Sequence, residues 1–236
     1  MQHPQVTQIN QYWANRLQCS PTVFERSGTI AIATEQPETY SRIIVTRITQ
    51  SAIVQVPPNW VDAIVEELDL DQIVTAEQIL ATFADDKLEF GWRDFIWYFP
   101  PDALASSLDQ RVRSLNENDQ KALEQLLEAC SEEERELGNV NLNQALPVGL
   151  FDQSILISVA SFIFDGDSVA DVGVITHPNH RGQGLGRLVV SELIRQGIEC
   201  KRIIQYTTQE KNLSSKRLAE SLGFWLYAVE EGIYVE

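Results

Sequence analysis

The chain has 236 residues, 44% of them hydrophobic, and a formal charge of -16 from 18 Lys and Arg against 34 Asp and Glu. That length buries a sizeable core in one large domain or two smaller ones, and the composition excludes a disordered chain. The acidity excludes phosphate-tracking contacts with nucleic acid, which need a basic surface, and suits either solubility or a field that attracts cationic amines.

Cys19, Cys130 and Cys200 lie far apart and form no CxxC or Cys/His cluster, so neither a disulfide framework nor a metal site is expected. A reducing, cytoplasmic setting follows as the simplest expectation. The opening MQHPQVTQINQYW has no basic n-region or apolar h-region, and no run approaches the roughly 18 apolar residues of a membrane span.

Val6, Ile9, Trp13 and Leu17 recur at helical spacing, and GTIAIAT (28–34), RIIVTRI (42–48) and AIVQV (52–56) are β-branched runs that suit strands. The first segment therefore reads as a small mixed α/β unit. Pro57 and Pro58 end the third run, and Asn59 is placed to cap a helix with Trp60, Val61, Ile64, Val65 and Leu68 on its apolar face. Thr75 to Gln78, TAEQ, has capping-box spacing and predicts a short helix through Phe83. DFIWYFPPD (94–102) reads as a buried strand, or as an aromatic acceptor pocket. The polar run ALASSLDQ (103–110) suits a junction, so the expected division is 1–109 and 110–236.

RVRSL (111–115) predicts a short strand, and Asn116 a helix cap for residues from about Asp119 to Cys130. SEEERELG (131–138) continues as an acidic helix or loop. VGLFD (148–152), ILISVASFIF (155–164) and VADVGVIT (169–176), joined by tight polar turns, predict an antiparallel meander. A helix with Leu185, Leu188, Val189 and Leu193 on one face follows, then the strand RIIQYT (202–207) and a helix after Asn212. FWLYAV and GIYVE are expected to close the chain as a hairpin.

Between the meander and its helix stands HPNHRGQGLG, with Gly182, Gly184 and Gly186 behind Arg181. Glycines at the start of a helix allow positive φ and close approach, and the first helical amides lack intrahelical partners, so an anion, most naturally a phosphate, fits there. Neither common nucleotide motif is present. GxGxxG would need a glycine at Arg187, and a P-loop would need GK[ST] where Gly186-Arg187-Leu188 stands.

Arg181-Gly182-Gln183-Gly184-Leu185-Gly186 is similar to the R/Q-x-x-G-x-G/A motif of the GNAT superfamily of acyl-CoA-dependent N-acyltransferases. NLSSKRLAESLGF (212–224) resembles that family's N-x-x-[SA]-x-x-L-x-x-x-x-G-F motif, and the resemblance covers about residues 111–236. It implies an α+β GNAT fold, a mixed and mainly antiparallel sheet flanked by helices, preceded here by a smaller mixed α/β domain. It also implies acetyl-CoA as cosubstrate, with its pyrophosphate on Arg181, Gly182, Gln183, Gly184, Leu185, Gly186 and Arg187. The strand ending in Val174, Ile175 and Thr176 would splay from RIIQYT, and its backbone would bond the thioester and pantetheine arm like an added strand. Asn212 would sit beside the pantetheine or simply cap its own helix, and Ser215 would face the same arm or only begin that helix.

For the chemistry, the resemblance places Asp171 near the glutamate that in many members deprotonates the amine through water; an ordinary strand carboxylate is the other reading. The family's usual acid, a tyrosine four residues after the Ser215 position, is Ala219 here, which leaves Tyr206 or an ordered water as proton donor. His177 and His180 flank the loop without an expected base role. The expected function is direct acetyl transfer to a primary amine of a small molecule or peptide. A non-catalytic acyl-CoA sensor is the alternative, and the N-terminal segment is either a wall of the acceptor pocket or a dimerisation element of a homodimer. Residues 1–110 carry six Lys or Arg against fifteen Asp or Glu, a net -9 that would favour a cationic amine.

Overall fold

The computed structural model describes residues 3–35, 41–84, 86–103 and 109–235. Among them ten strands form one mixed sheet: β1 (Gly28–Ala33), β2 (Ser41–Ile48), β3 (Ser51–Val56), β4 (Leu88–Tyr98), β5 (Val112–Ser114), β6 (Ala145–Asp152), β7 (Ile155–Asp165), β8 (Val169–Thr176), β9 (Ile203–Gln209) and β10 (Trp225–Val235). Seven α-helices accompany them: α1 (Val6–Arg16), α2 (Val61–Glu67), α3 (Ala76–Thr82), α4 (Gln120–Glu128), α5 (Glu132–Gly138), α6 (Leu185–Glu199) and α7 (Leu213–Leu222). The strand order is β1-β3-β2-β10-β4-β9-β8-β7-β6-β5.

Period-2 alternation divides the sheet into two faces. Ile48, Ile53, Ile96, Tyr98 and Ala228 pack against Ile9 and Trp13 of α1 and against Leu17, which caps its C-terminus. On that same face, Val159 and Ile175 pack with Leu123 and Leu126 of α4. Trp97, Phe162 and Tyr206 point the other way, under Val189, Val190 and Leu193 of α6. Ile43, Val45, Val54 and Ile233 also take that second face, under Ile64 of α2 and Ile79 of α3.

The expected meander is present, with β6, β7 and β8 paired antiparallel in turn. The Thr75/Gln78 capping box forms as its spacing predicts. Asn59 does not cap α2: Pro58, Asn59 and Trp60 make a 3₁₀ turn after Pro57, and Trp60 takes the N-cap position without a side-chain bond. Asn116 caps a short 3₁₀ turn, 117–119, that leads into α4.

The predicted C-terminal hairpin is instead one continuous strand. β10 runs antiparallel to β2 on one side and to β4 on the other, with irregularities at Leu226/Ala228 and Gly232/Ile233. Gly232 is there for space, since a Cβ would fall 2.1 Å from the Trp92 ring. A glycine in a strand marks such a close approach as readily as a turn.

Residues 104–108, within the expected junction, lie outside the described residues. The sheet itself runs on across that point in the chain, because β4 from the N-terminal half sits between β10 and β9 of the C-terminal half. A fragment of residues 110–236 would leave β10 without either neighbour and β9 without β4. Such bared edges favour aggregation over folding. The expected outcome is an insoluble or unfolded fragment by circular dichroism, whereas co-expression with residues 1–109 restores a soluble complex.

Candidate active site

β8 follows β7 along its whole length, yet it pairs with β9 only at Val169, Ala170 and Asp171, parallel to Ile203, Ile204 and Gln205. β9 then continues along β4, Gln205–Gln209 opposite Tyr98–Asp94. From Val172 onward β8 therefore has an edge that faces a gap inside the sheet. The end of α5 covers this stretch: a Cβ on Gly173 would fall 2.7 Å from the carbonyl oxygens of both Gly138 and Asn139. A cleft of about 1020 Å³ occupies the fork and reaches the glycine loop.

Asp171 stands at the point of the fork with both carboxylate oxygens engaged. Oδ1 accepts from the backbone N–H of Thr207 at 3.0 Å and of Val172 at 3.1 Å, and Oδ2 accepts from the Thr207 hydroxyl at 2.9 Å. Burial raises its pKa, and the bonds from Thr207 and its other neighbours offset part of the rise. Thr207 is in turn tied to α1: Trp13 Nε1 donates to the Tyr98 hydroxyl, which donates to Gln205 Oε1, and Gln205 Nε2 donates to Thr207 Oγ1.

At the head of α6, Gly182 and Gly184 adopt φ of +74° and +75°, and a Cβ on either would meet nothing within 4 Å. Both are required by conformation, and both leave the loop open to a ligand. Gly186 has no positive φ, and a Cβ there would make only an ordinary 3.5 Å contact with Thr176. Leu185 buries its side chain in the core, leaving its amide as the group that can reach an anion. Gln183 and Arg187 are exposed.

Arg181 is already committed. It donates to the Thr176 carbonyl at 3.1 Å and pairs with Glu134 of α5, which holds that carboxyl at about 2. Its observed task is to brace the loop across the cleft, and the Thr176 carbonyl is correspondingly not free.

Tyr206 lies on the α6/α7 face and is 3% exposed, and its hydroxyl has no hydrogen-bond partner. Burial pushes the phenol to about 12, with nearby Ser215 offsetting part of the rise, so it is protonated at neutral pH. Asn212 caps α7, its Oδ1 accepting from Ser215 N at 3.1 Å and from the Ser214 hydroxyl at 2.8 Å. Tyr206, Asn212 and Ser215 all line the cleft.

Asp94 is a cleft residue that sequence reasoning missed. It opens the run DFIWYF, where the apolar majority obscured the one charge. Its Oδ1 is buried without a partner. Burial, and then the charges of Glu230 and Asp171, raise its pKa to about 6. Cross-strand register aligns Asp94 with Gln209 and with Glu230, on the face that also carries Thr207 and Asp171.

A forked sheet beneath a glycine-opened helix start is the arrangement that the resemblance in the two motifs implies. Residues 115–228 match the GNAT acetyltransferase family. The L-amino acid N-acyltransferase MnaT of Escherichia coli is 34% identical over 79 residues, 31% of this chain and 46% of that protein. The L-methionine sulfoximine/L-methionine sulfone acetyltransferase of Salmonella typhimurium is 35% identical over 83 residues, 33% of this chain and 48% of its own. The chain thus spans about half the length of these curated relatives. A GCN5-related N-acetyltransferase-like protein from Streptococcus suis aligns with 98% of this chain and 99% of its own, at a TM-score of 0.51 and 16% identity. That likeness extends the shared fold through the N-terminal half. Among the described residues no helix is long and apolar enough to cross a membrane, and no group of three or more His, Cys, Asp or Glu is disposed to hold a metal ion.

The buried chain from Trp13 to Asp171 predicts the effect of Tyr98→Phe, which leaves the Trp13 N–H and the Gln205 side-chain carbonyl unpaired in a buried site. The expected loss is about 1–3 kcal/mol of stability. It should read as a lower urea midpoint with unchanged m-value.

Proposed function

We propose that the chain is an N-acetyltransferase, taking acetyl-CoA as donor and a primary amine as acceptor, with direct transfer and no covalent enzyme intermediate. The observation that carries this reading is the open edge of β8 beyond Asp171, which leads straight to the loop of Gly182 and Gly184. Backbone groups between Val172 and Thr176 would hold a pantetheine arm as an added strand, and the amides at the head of α6 would hold the pyrophosphate. The fit rests on the space above both glycines and on Arg187, which makes no ion pair among the described residues.

N-acylation by a thioester needs a neutral amine, a polarised carbonyl and a proton for the leaving sulfur. Tyr206 supplies an unpartnered hydroxyl that is protonated at neutral pH, on the α7 side of the fork. Asp171 and Asp94 are carboxylates on the opposite face. The acyltransferase relatives, one named for L-amino acids, make the α-amino group of a small amino acid the first acceptor class to test. The engagement of Asp171 and the Ala219 substitution favour a second reading, an acyl-CoA sensor without turnover.

Thiol release from acetyl-CoA across an amine panel separates the two, since the enzyme releases thiol and the sensor binds without release. Gly184→Val should weaken acetyl-CoA binding roughly tenfold or more, about 1.4 kcal/mol, while Gly186→Ala leaves it nearly unchanged. Calorimetry on the folded variants is the check, and equal affinities for Gly184→Val and wild type would overturn the loop assignment.

A further inference from the structure

We infer that Asp94, supplied by the N-terminal half, is the catalytic base that takes the proton from the acceptor's ammonium, while Asp171 is a positioning residue that holds the fork. The inference rests on the proposed amine acetylation. Its first support is the contrast between the two carboxylates. Asp171 accepts three hydrogen bonds, so both of its oxygens are already engaged in holding the β8–β9 junction. Asp94 lines the same cleft with a buried Oδ1 that has no partner, an acceptor not yet used that an ammonium N–H would satisfy.

The second support is the division of the cleft between two faces. Asp94 and Thr207 project toward α1 and α5, whereas Tyr206, whose buried hydroxyl also has no partner among the described residues, projects toward α7. Base and proton donor therefore stand on opposite sides of the gap where the acyl group would lie. In the step, the Asp94 carboxylate accepts one proton from the ammonium, and the freed nitrogen lone pair forms the bond to the acetyl carbon. The carbon–sulfur bond breaks as Tyr206 gives its proton to sulfur and regains one from the nitrogen. Asp94 then returns its proton to solvent, so one proton is released per amide formed.

The charged groups that act on Asp94 are Glu230 of β10 and Asp171 of β8, and Glu230 is in turn acted on by Arg16 of α1 and Arg42 of β2. A carboxyl that titrates near 6 is still mostly ionised at neutral pH and is a stronger base than an ordinary aspartate. The rate should therefore fall as pH drops through about 6, where Asp94 gains its proton.

The test compares Asp94→Asn, Asp171→Asn and Glu230→Gln in the full chain, with the best amine of the panel. Asp94→Asn should bind acetyl-CoA as wild type does, lose about 100-fold or more in kcat/KM, and lose the acid limb. Asp171→Asn should keep an acid limb, at a reduced rate and moved to lower pH, and Glu230→Gln should likewise move the limb to lower pH, since each removes a negative charge beside Asp94. In wild type, the Asp94 carboxyl carbon followed by NMR should titrate near 6. Turnover in wild type with an unaltered limb in Asp94→Asn would overturn the role of Asp94 alone. Acetyl-CoA binding without turnover by wild type on any amine would overturn the acetylation reading as well.

Discussion

The parting of β8 from β9 is the constraint on which the rest of the site depends. A parallel pair normally satisfies its backbone groups on both strands, and ending it after three residues leaves a polar edge inside a sheet. Two features sustain the gap. On the β8 side, the end of α5 lies against Gly173, where only a hydrogen fits. On the β9 side, β4 takes over the pairing, so β9 is held in place without β8. Asp171 then fixes the vertex through Thr207, and the vertex is itself tied through Gln205 and Tyr98 to Trp13 of α1. The polar chain gives the apolar layer under α1 one register in preference to others, a use of buried hydrogen bonds that burial alone does not provide.

The two halves of the chain are joined by β10, and a buried charge secures that junction. Glu231 is fully buried in the centre of β10, between Arg47 of β2 at 3.2 Å and Arg93 of β4 at 2.6 Å. Arg93 also pairs with Glu77 of α3 and Glu210 beyond β9. A buried carboxylate is tolerable only with such partners, and removing one of them would leave its charge uncompensated. The arrangement works as a register lock, because sliding β10 by one residue would carry Glu231 to the opposite face, away from Arg47 and Arg93. The N-terminal half is thus part of the site's scaffold: β2 and β4 flank the strand whose Glu230 acts on Asp94.

The sheet's alternation distributes chemistry as well as packing. Adjacent residues of β9, Tyr206 and Thr207, face opposite layers, one toward the α7 side and the other toward Asp171. A donor and a carboxylate can therefore both line one cleft without neutralising each other. Each keeps the environment that sets its protonation state: burial in an apolar wall for the phenol, and burial followed by like charges for Asp94.

Local patterns in the sequence determined the elements and the phosphate-type loop. β-branched alternation marked most strands, TAEQ marked a capping box, and the glycines behind Arg181 marked an open helix start, because each signal depends on residues within one or two turns. Tertiary structure alone decided what depends on distant neighbours. Gly232 looked like a turn until Trp92 was seen to need its space. Arg181 reads in sequence as an anion ligand, and only the fold shows that Glu134, 47 residues earlier, pairs with it as well. Asp94 looked like the edge of an apolar strand, and only the pairing of β4 with β9 and β10 places it beside Asp171 and Glu230. A carboxylate's basicity is set by burial and by charges close in space, and the sequence order of residues 94, 171 and 230 does not contain that proximity.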